Sequence, residues 1–135
     1  RSTAAADVEP TTPAADAAAP SPLDPETAAA LRGGAVVLVA MDEEEAPFLD
    51  RGTALAEPVR LGHARATALR CGAQTILLVR TGIGLANAAS AAAAALLLAR
   101  PRAVVSAGSA GGLHAEVEVG ADAAAVVFSP DVSRR

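Results

Sequence analysis

The 135-residue chain contains no lysine, no tryptophan and no tyrosine, so its eleven basic residues are all arginine. The absence of lysine excludes both a Schiff-base lysine and the lysine of a G-x-x-x-x-G-K phosphate loop. Cysteine is nearly absent as well. Because Cys71 stands alone, neither an internal disulfide nor a cysteine-based zinc site can form within the chain. A reducing cytoplasm is the simplest compartment to expect, and no metal site or cofactor is predicted.

Long apolar runs and clustered charges are also lacking. The longest apolar stretch, residues 88–99, is far shorter than the roughly 20 residues that a membrane span requires, and Ser90 interrupts it. No secretory signal is visible at the N-terminus. The net charge of −4 and the scattered arginines argue against nucleic acid as a partner. We therefore expect no nucleic-acid partner and no membrane partner.

The first quarter of the chain differs in composition from the rest. Residues 1–33 carry most of the prolines and show no sustained apolar period, which predicts a disordered Ala/Pro-rich extension. Within it, Asp24-Pro25 is a helix start signal that favours one or two helical turns before Gly33-Gly34. Residues 34–135 are then predicted to form the N-terminal portion of an α/β domain.

The remaining sequence alternates short apolar strands with helices. Uninterrupted apolar strands indicate burial on both sheet faces and hence parallel pairing, whereas the hairpin around Cys71-Gly72-Ala73 adds an antiparallel arm. The fold class predicted is three-layer α/β/α with a twisted mixed sheet. The predicted strands are 35–41, 65–70, 74–80 and 103–107, with 123–128 as a further candidate, and the predicted helices are 43–49 and 85–100.

Three loops follow predicted strands: residues 41–45, 81–84 and 108–112. In an open α/β sheet such loops lie at one edge, where they can form a single pocket. Each loop also has a plainer explanation. The acidic run at 42–45 is typical of a helix N-terminus, and glycines serve tight turns at least as often as ligands. Gly82-x-Gly84-x-x-Asn87 lacks the third glycine of a dinucleotide-binding fingerprint, so nicotinamide binding is not favoured.

Taken together, the three loops carry a resemblance. Segments 40–45 (AMDEEE), 81–89 (TGIGLANAA) and 107–113 (AGSAGGL) closely resemble the signatures of the 5′-methylthioadenosine/S-adenosylhomocysteine nucleosidases, within the purine/uridine phosphorylase superfamily. The resemblance covers about residues 35–120. It implies a nucleoside phosphorylase-like fold and hydrolysis of the N-glycosidic bond to adenine and a thioribose, in methionine salvage and nucleoside catabolism. It also implies a small-molecule purine nucleoside as ligand, and a homodimer.

The same resemblance implies roles for individual residues. Glu44 would activate the attacking water, Met41 would lie against the ribose beside Ala40, and Ile83 would line the alkylthio side of the pocket. The sugar and base region would be lined by Ser109, Ala110 and Gly111. A water-activating glutamate works best with a pKa near the working pH, which we expect a pocket containing Met41 and Ile83 to help maintain.

The resemblance also leaves alternatives open. A nucleoside phosphorylase would need cationic side chains for phosphate, and neither Arg80 nor Arg102 lies in a recognised phosphate loop, which favours water. The family takes its base-protonating acid from a second half that residues after 120 do not resemble. A truncated, non-catalytic nucleoside-binding chain is therefore a further alternative, and this chain alone is expected to be weakly active or inactive. The apolar helix at 85–98 must be covered, which also favours a dimer.

Overall fold

A computed structural model of the chain describes residues 21–113 and 115–122. The elements found there are α1 (Pro25–Leu31), β1 (Ala35–Val39), α2 (Asp42–Arg51), β2 (Thr53–Ala54), β3 (Val59–Leu61), β4 (Ala64–Cys71), β5 (Gln74–Arg80), α3 (Leu85–Ala99) and β6 (Ala103–Ser106). The predicted alternation of strands and helices is confirmed. The candidate strand at 123–128 lies outside the described residues.

The six strands form one mixed sheet in the order β2-β4-β5-β1-β6, with β3 also paired to β4. Strand β1 is parallel to both β5 and β6, whereas β4 is antiparallel to β5, β2 and β3. The turn between β4 and β5 consists of Gly72-Ala73, and Gly72 adopts a φ of 60°. The predicted three-layer arrangement is confirmed, because helices pack on both faces of this sheet.

The two faces carry separate apolar clusters. On one face, helices α1 and α3 pack against residues of β1, β4 and β5, with Val36, Leu77 and Ala95 fully buried. On the other face, α2 contributes Phe48 to a cluster centred on Val39 and Leu78. Since α2 follows β1 on one side and α3 follows β5 on the other, the chain diverges at the carboxyl ends of β1 and β5. Crevices for ligands form at such points in α/β sheets.

Helix α1 corrects the boundary predicted for the N-terminal extension. Leu23, Thr27 and Leu31 are buried, and the Asp24 side chain accepts a hydrogen bond from Thr27 N at 2.9 Å. The start signal at Asp24-Pro25 therefore produces a helix that belongs to the folded unit. The extension does not reach residue 33, because Leu23 and Leu31 belong to the apolar cluster on this face of the sheet. Residues 1–20 lie outside the described part.

Strand β6 differs from the buried strand that its sequence predicts. Val104 and Val105 are 45% and 46% exposed. The strand pairs only with β1 among the described residues, so it forms one edge of the described sheet and no described helix covers it there. Its apolar sequence is typical of a strand that other elements cover, but no element in the described part of the chain covers it.

Candidate functional site

The three predicted loops meet at one edge of the sheet. The parallel pairing of β5, β1 and β6 brings their carboxyl ends side by side, and the ladder continues past the strands. Thr81 N donates to Val39 O and Ala107 N donates to Leu38 O, each at 2.9 Å. The loop after β1 is thus held between the loops after β5 and β6, and the three loops lie together at one edge of the sheet.

Glu44 lies at the centre of this edge. The residue is the third of helix α2, which points its carboxylate back toward the helix start. Ala40 N donates to Oε2 at 2.8 Å, while Ser109 N and Ser109 Oγ donate to Oε1 at 2.8 and 3.0 Å. A helix-start role explains the bond from Ala40 but not the two from Ser109. Glu44 therefore joins the β1 loop to the β6 loop.

Gly108 makes the approach of Glu44 possible. A Cβ atom at position 108 would lie 2.6 Å from Glu44 Oε1 and 2.8 Å from Glu44 Cδ. Such distances are shorter than any that real side chains tolerate, so a residue other than glycine would displace the carboxylate. Glycine at position 108 thus allows the Glu44 carboxylate to lie against the backbone of the β6 loop. This contact is a second reason for the glycine besides a tight turn at the end of the strand.

The pKa of Glu44 differs from the sequence-based expectation. Hydrogen bonds from the backbone N–H of Ser109, and then of Ala40, hold the pKa of the Glu44 carboxyl below its ordinary value, although partial burial raises it. Ile83 is 73% exposed and Met41 only half-buried, so neither provides the apolar enclosure that would keep this pKa near neutral. Glu44 is therefore a carboxylate at neutral pH.

Two adjoining cavities open at this edge, and both are lined by Ala40, Thr81 and Gly82. The first, which we name the glutamate cavity, has a volume of about 500 Å³ and contains Glu44 with Ser109 and Ala110. The second, which we name the arginine cavity, has a volume of about 590 Å³. Its further lining includes Met41, Asp42, Glu43, Arg60, His63, Arg65, Arg80 and Ile83.

The residues singled out in the sequence are distributed between these cavities. Glu44, Ser109 and Ala110 line the glutamate cavity, Met41 and Ile83 line the arginine cavity, and Ala40 lines both. Gly111 lines neither cavity. In the described part of the chain, no group of three potential ligands could hold a metal ion, and no helix has the length and apolarity to cross a membrane.

Sequence reasoning missed several residues of the site. Thr81 is buried, and its hydroxyl donates to Gly82 O at 2.8 Å, while its carbonyl oxygen lies 2.9 Å from His63 Nε2. Arg60 and Arg65 come from β3 and β4, whose short or charged sequences carry no site motif. Thr81 was the one residue with a signal, since it opens the segment TGIGLANAA.

Comparisons with known proteins agree with this architecture. The family model of the phosphorylase superfamily matches residues 35–123. Among solved structures, the chain is similar to a 5′-methylthioadenosine/S-adenosylhomocysteine nucleosidase from Neisseria meningitidis in complex with methylthio-immucillin-A, with a TM-score of 0.61 and 28% identity. The match covers 65% of this chain and 38% of the nucleosidase, so the chain spans well under half of its length. No curated protein matches the sequence significantly.

Proposed function

Because the chain belongs to the phosphorylase superfamily, we propose that its site hydrolyses the N-glycosidic bond of 5′-methylthioadenosine or S-adenosylhomocysteine. The products would be adenine and a thioribose. The observation that carries the proposal is the Glu44 carboxylate, held by donors from the β1 and β6 loops at the wall of a cavity large enough for a nucleoside.

The hydrogen bonds of Glu44 suit a water-activating base. Three of the roughly four acceptor positions of a carboxylate are occupied by Ala40 and Ser109, which leaves about one for a water molecule. The lowered pKa keeps the group ionised, so it can accept a proton. The same shift makes it a weaker base, and its contribution would come largely from orienting the water against the anomeric carbon.

The reaction balances as a simple displacement. The bond between the anomeric carbon and the purine nitrogen breaks with its electron pair remaining on the base. The water oxygen bonds to the anomeric carbon, and one water proton passes to Glu44, which then releases it to solvent. A ring nitrogen of the leaving base takes up one proton from solvent, so no net proton is gained or lost. Asp42 is paired with Arg80 and lines the arginine cavity, so it is not suited to supply that proton.

Phosphorolysis is the second candidate, because Arg60 and Arg65 form no ion pair among the described residues. Phosphate would have to reach the anomeric carbon beside Glu44, however, and a carboxylate repels it. Arg80 is paired with Asp42 and Glu45, and Arg102 donates to Gln74 Oε1 at 2.9 Å. The charge distribution therefore favours water as the nucleophile.

Adenine release by the complete protein tests the proposal. We expect release from at least one of the two nucleosides in phosphate-free buffer, and a rate about 10²–10⁴-fold lower in Glu44→Gln, because the water loses its base. Glu57→Gln is the matched control, since Glu57 is exposed and lines neither cavity. Release that requires phosphate would instead support phosphorolysis. Nucleoside binding without turnover would support the non-catalytic alternative.

A homodimer is part of the same proposal. Leu97 on α3 is 84% exposed and Leu85 is 90% exposed, while the face of α3 toward the sheet is filled by Ala91, Ala95 and Ala99. Exposed leucines on an otherwise apolar helix favour coverage by a second copy. Sedimentation of the complete protein should give the mass of a dimer, and a monomer at micromolar concentration would contradict this part.

A further inference from the structure

Three arginines lie side by side across neighbouring strands. The strand register places Arg60 of β3 opposite Arg65 of β4, and Arg65 opposite Arg80 of β5. Residues directly opposite one another point to the same face of a sheet, and like charges in that arrangement repel. All three line the arginine cavity. The sequence separates them by up to 20 positions, so only the register brings them together.

The three arginines are not equally neutralised. Arg80 pairs with Asp42 and lies 3.4 Å from Glu45 Oε2. Arg60 and Arg65 have no carboxylate within ion-pair distance among the described residues, and both are exposed. Arg60 donates a long hydrogen bond, 3.5 Å, to Gly62 O. Two adjacent guanidinium groups that no described carboxylate pairs with are suited to binding a carboxylate, which arginine binds through two parallel hydrogen bonds.

The cavity also presents a negative charge. Glu43 lines it, is exposed, and forms no ion pair among the described residues. Within the part of the chain that the structure describes, the cavity thus combines two cations and one anion that form no ion pair. That combination is complementary to an α-amino-acid group, which carries a carboxylate and an ammonium on the same carbon.

We propose that the arginine cavity binds the amino-acid group of a nucleoside's 5′ substituent, with its carboxylate on Arg60 and Arg65 and its ammonium near Glu43. This inference rests on the proposed function, which assigns Met41 and Ile83 to the ribose and alkylthio region. Both residues line the arginine cavity, and the shared lining by Ala40, Thr81 and Gly82 connects it to Glu44. The site would then select S-adenosylhomocysteine over 5′-methylthioadenosine, because the methyl group of the latter has no charge or acceptor for the arginines to bind.

The test compares kcat/KM for the two nucleosides in the complete protein. In Arg65→Gln, we expect kcat/KM for S-adenosylhomocysteine to fall about 10- to 100-fold, as for loss of charge-assisted hydrogen bonds. The value for 5′-methylthioadenosine should change less than about 2-fold. Arg60→Gln, on a different strand, should act in the same direction. Arg70→Gln is the matched control, because Arg70 is exposed on the same strand as Arg65 but lines a cavity beside α1.

A third nucleoside separates the two charges. The kcat/KM for a 5′-carboxyalkylthio-adenosine, which lacks the ammonium, should still fall in Arg65→Gln but should not change in Glu43→Gln. The kcat/KM for S-adenosylhomocysteine should fall in both variants. Equal losses for both natural nucleosides, or no loss for either, would overturn the inference while leaving the proposed function intact. If the wild-type protein neither binds nor hydrolyses any of these nucleosides, the proposed function fails and this inference fails with it.

Discussion

At the scale of single residues, the contacts of Glu44 distinguish it from the three other acids of the run 42–45. Four consecutive acids, residues 42–45, follow β1, and the structure gives each a different setting. Glu44 faces Ser109, Glu45 is buried beside Arg80, Asp42 pairs with Arg80, and Glu43 faces the arginine cavity. The motif resemblance identified Glu44, but its hydrogen bonds to a loop 65 positions away depend on strand register and had no local signal.

The lowered pKa of Glu44 predicts a pH-dependent contribution to stability. Its pKa in the folded protein lies below the ordinary glutamate value of 4.5, so its contribution to stability is fully present above about pH 4.5 and is lost as the pH falls through the folded-state pKa. Glu44→Gln removes the titration. Urea unfolding of both proteins at a series of pH values should give a difference in unfolding free energy that shrinks below pH 4.5. A difference that grows as the pH falls would refute a lowered pKa.

Gly108→Ala should act through Glu44. The added methyl group would overlap the carboxylate, and the flexible glutamate side chain can move away at the expense of its hydrogen bonds to Ser109. We expect a loss of about 1 kcal/mol in stability, as for a typical hydrogen bond, and a loss of activity approaching that of Glu44→Gln. In the Glu44→Gln background the glycine substitution should have little further effect on activity. Additive effects would contradict the contact as the cause.

At the scale of elements, the contact between α2 and β5 contains an unusual buried charge. Glu45 is 2% exposed, its Oε1 has no hydrogen-bond partner among the described residues, and Arg80 is the cation beside it. The exposed ion pair of Arg80 with Asp42 contributes little to the unfolding free energy. A carboxylate left in this position without Arg80 would be destabilising, whereas an apolar side chain would suit the surroundings.

Arg80→Met should therefore destabilise the protein by about 3 kcal/mol, whereas Glu45→Met should change the stability little, because Arg80 is partly exposed and keeps its pair with Asp42. The double variant should recover most of the stability lost in Arg80→Met. Unfolding free energies from denaturant titration give all three values. If the double variant is as unstable as Arg80→Met alone, then packing of the arginine stem, and not the unpaired charge of Glu45, is the cause.

Helix α1 shows why the boundary of the folded unit was hard to predict. Its seven residues lie in a Pro- and Ala-rich segment. We expect their contribution to the unfolding free energy to come from Leu31, which is 1% exposed. Leu31→Ala should lower the unfolding free energy by about 2–5 kcal/mol, measured by urea titration. Arg32→Ala, at the exposed neighbouring position, should change it by less than about 0.5 kcal/mol. Similar values for the two variants would place α1 outside the cooperative unit.

At the scale of the whole molecule, the sequence predicted the order of elements and the mixed sheet, because uninterrupted apolar runs and marked helix ends are strong local signals. Strands β2 and β3 were missed, since two exposed residues in β2 and three exposed or half-buried residues in β3 leave no apolar period to detect. The exposure of β6 could not be predicted either, because it depends on which elements lie beside that edge. The arginine cavity depends in the same way on the pairing of β3, β4 and β5.

The chain belongs to the phosphorylase superfamily, and the central claim of our proposal is that a water molecule, activated by the Glu44 carboxylate, attacks the anomeric carbon. The most direct test is isotope incorporation during turnover of 5′-methylthioadenosine or S-adenosylhomocysteine by the complete protein in ¹⁸O-labelled water containing phosphate. We predict a thioribose that carries one labelled oxygen at the anomeric carbon. An unlabelled sugar phosphate, or no cleavage of either nucleoside, would contradict the account.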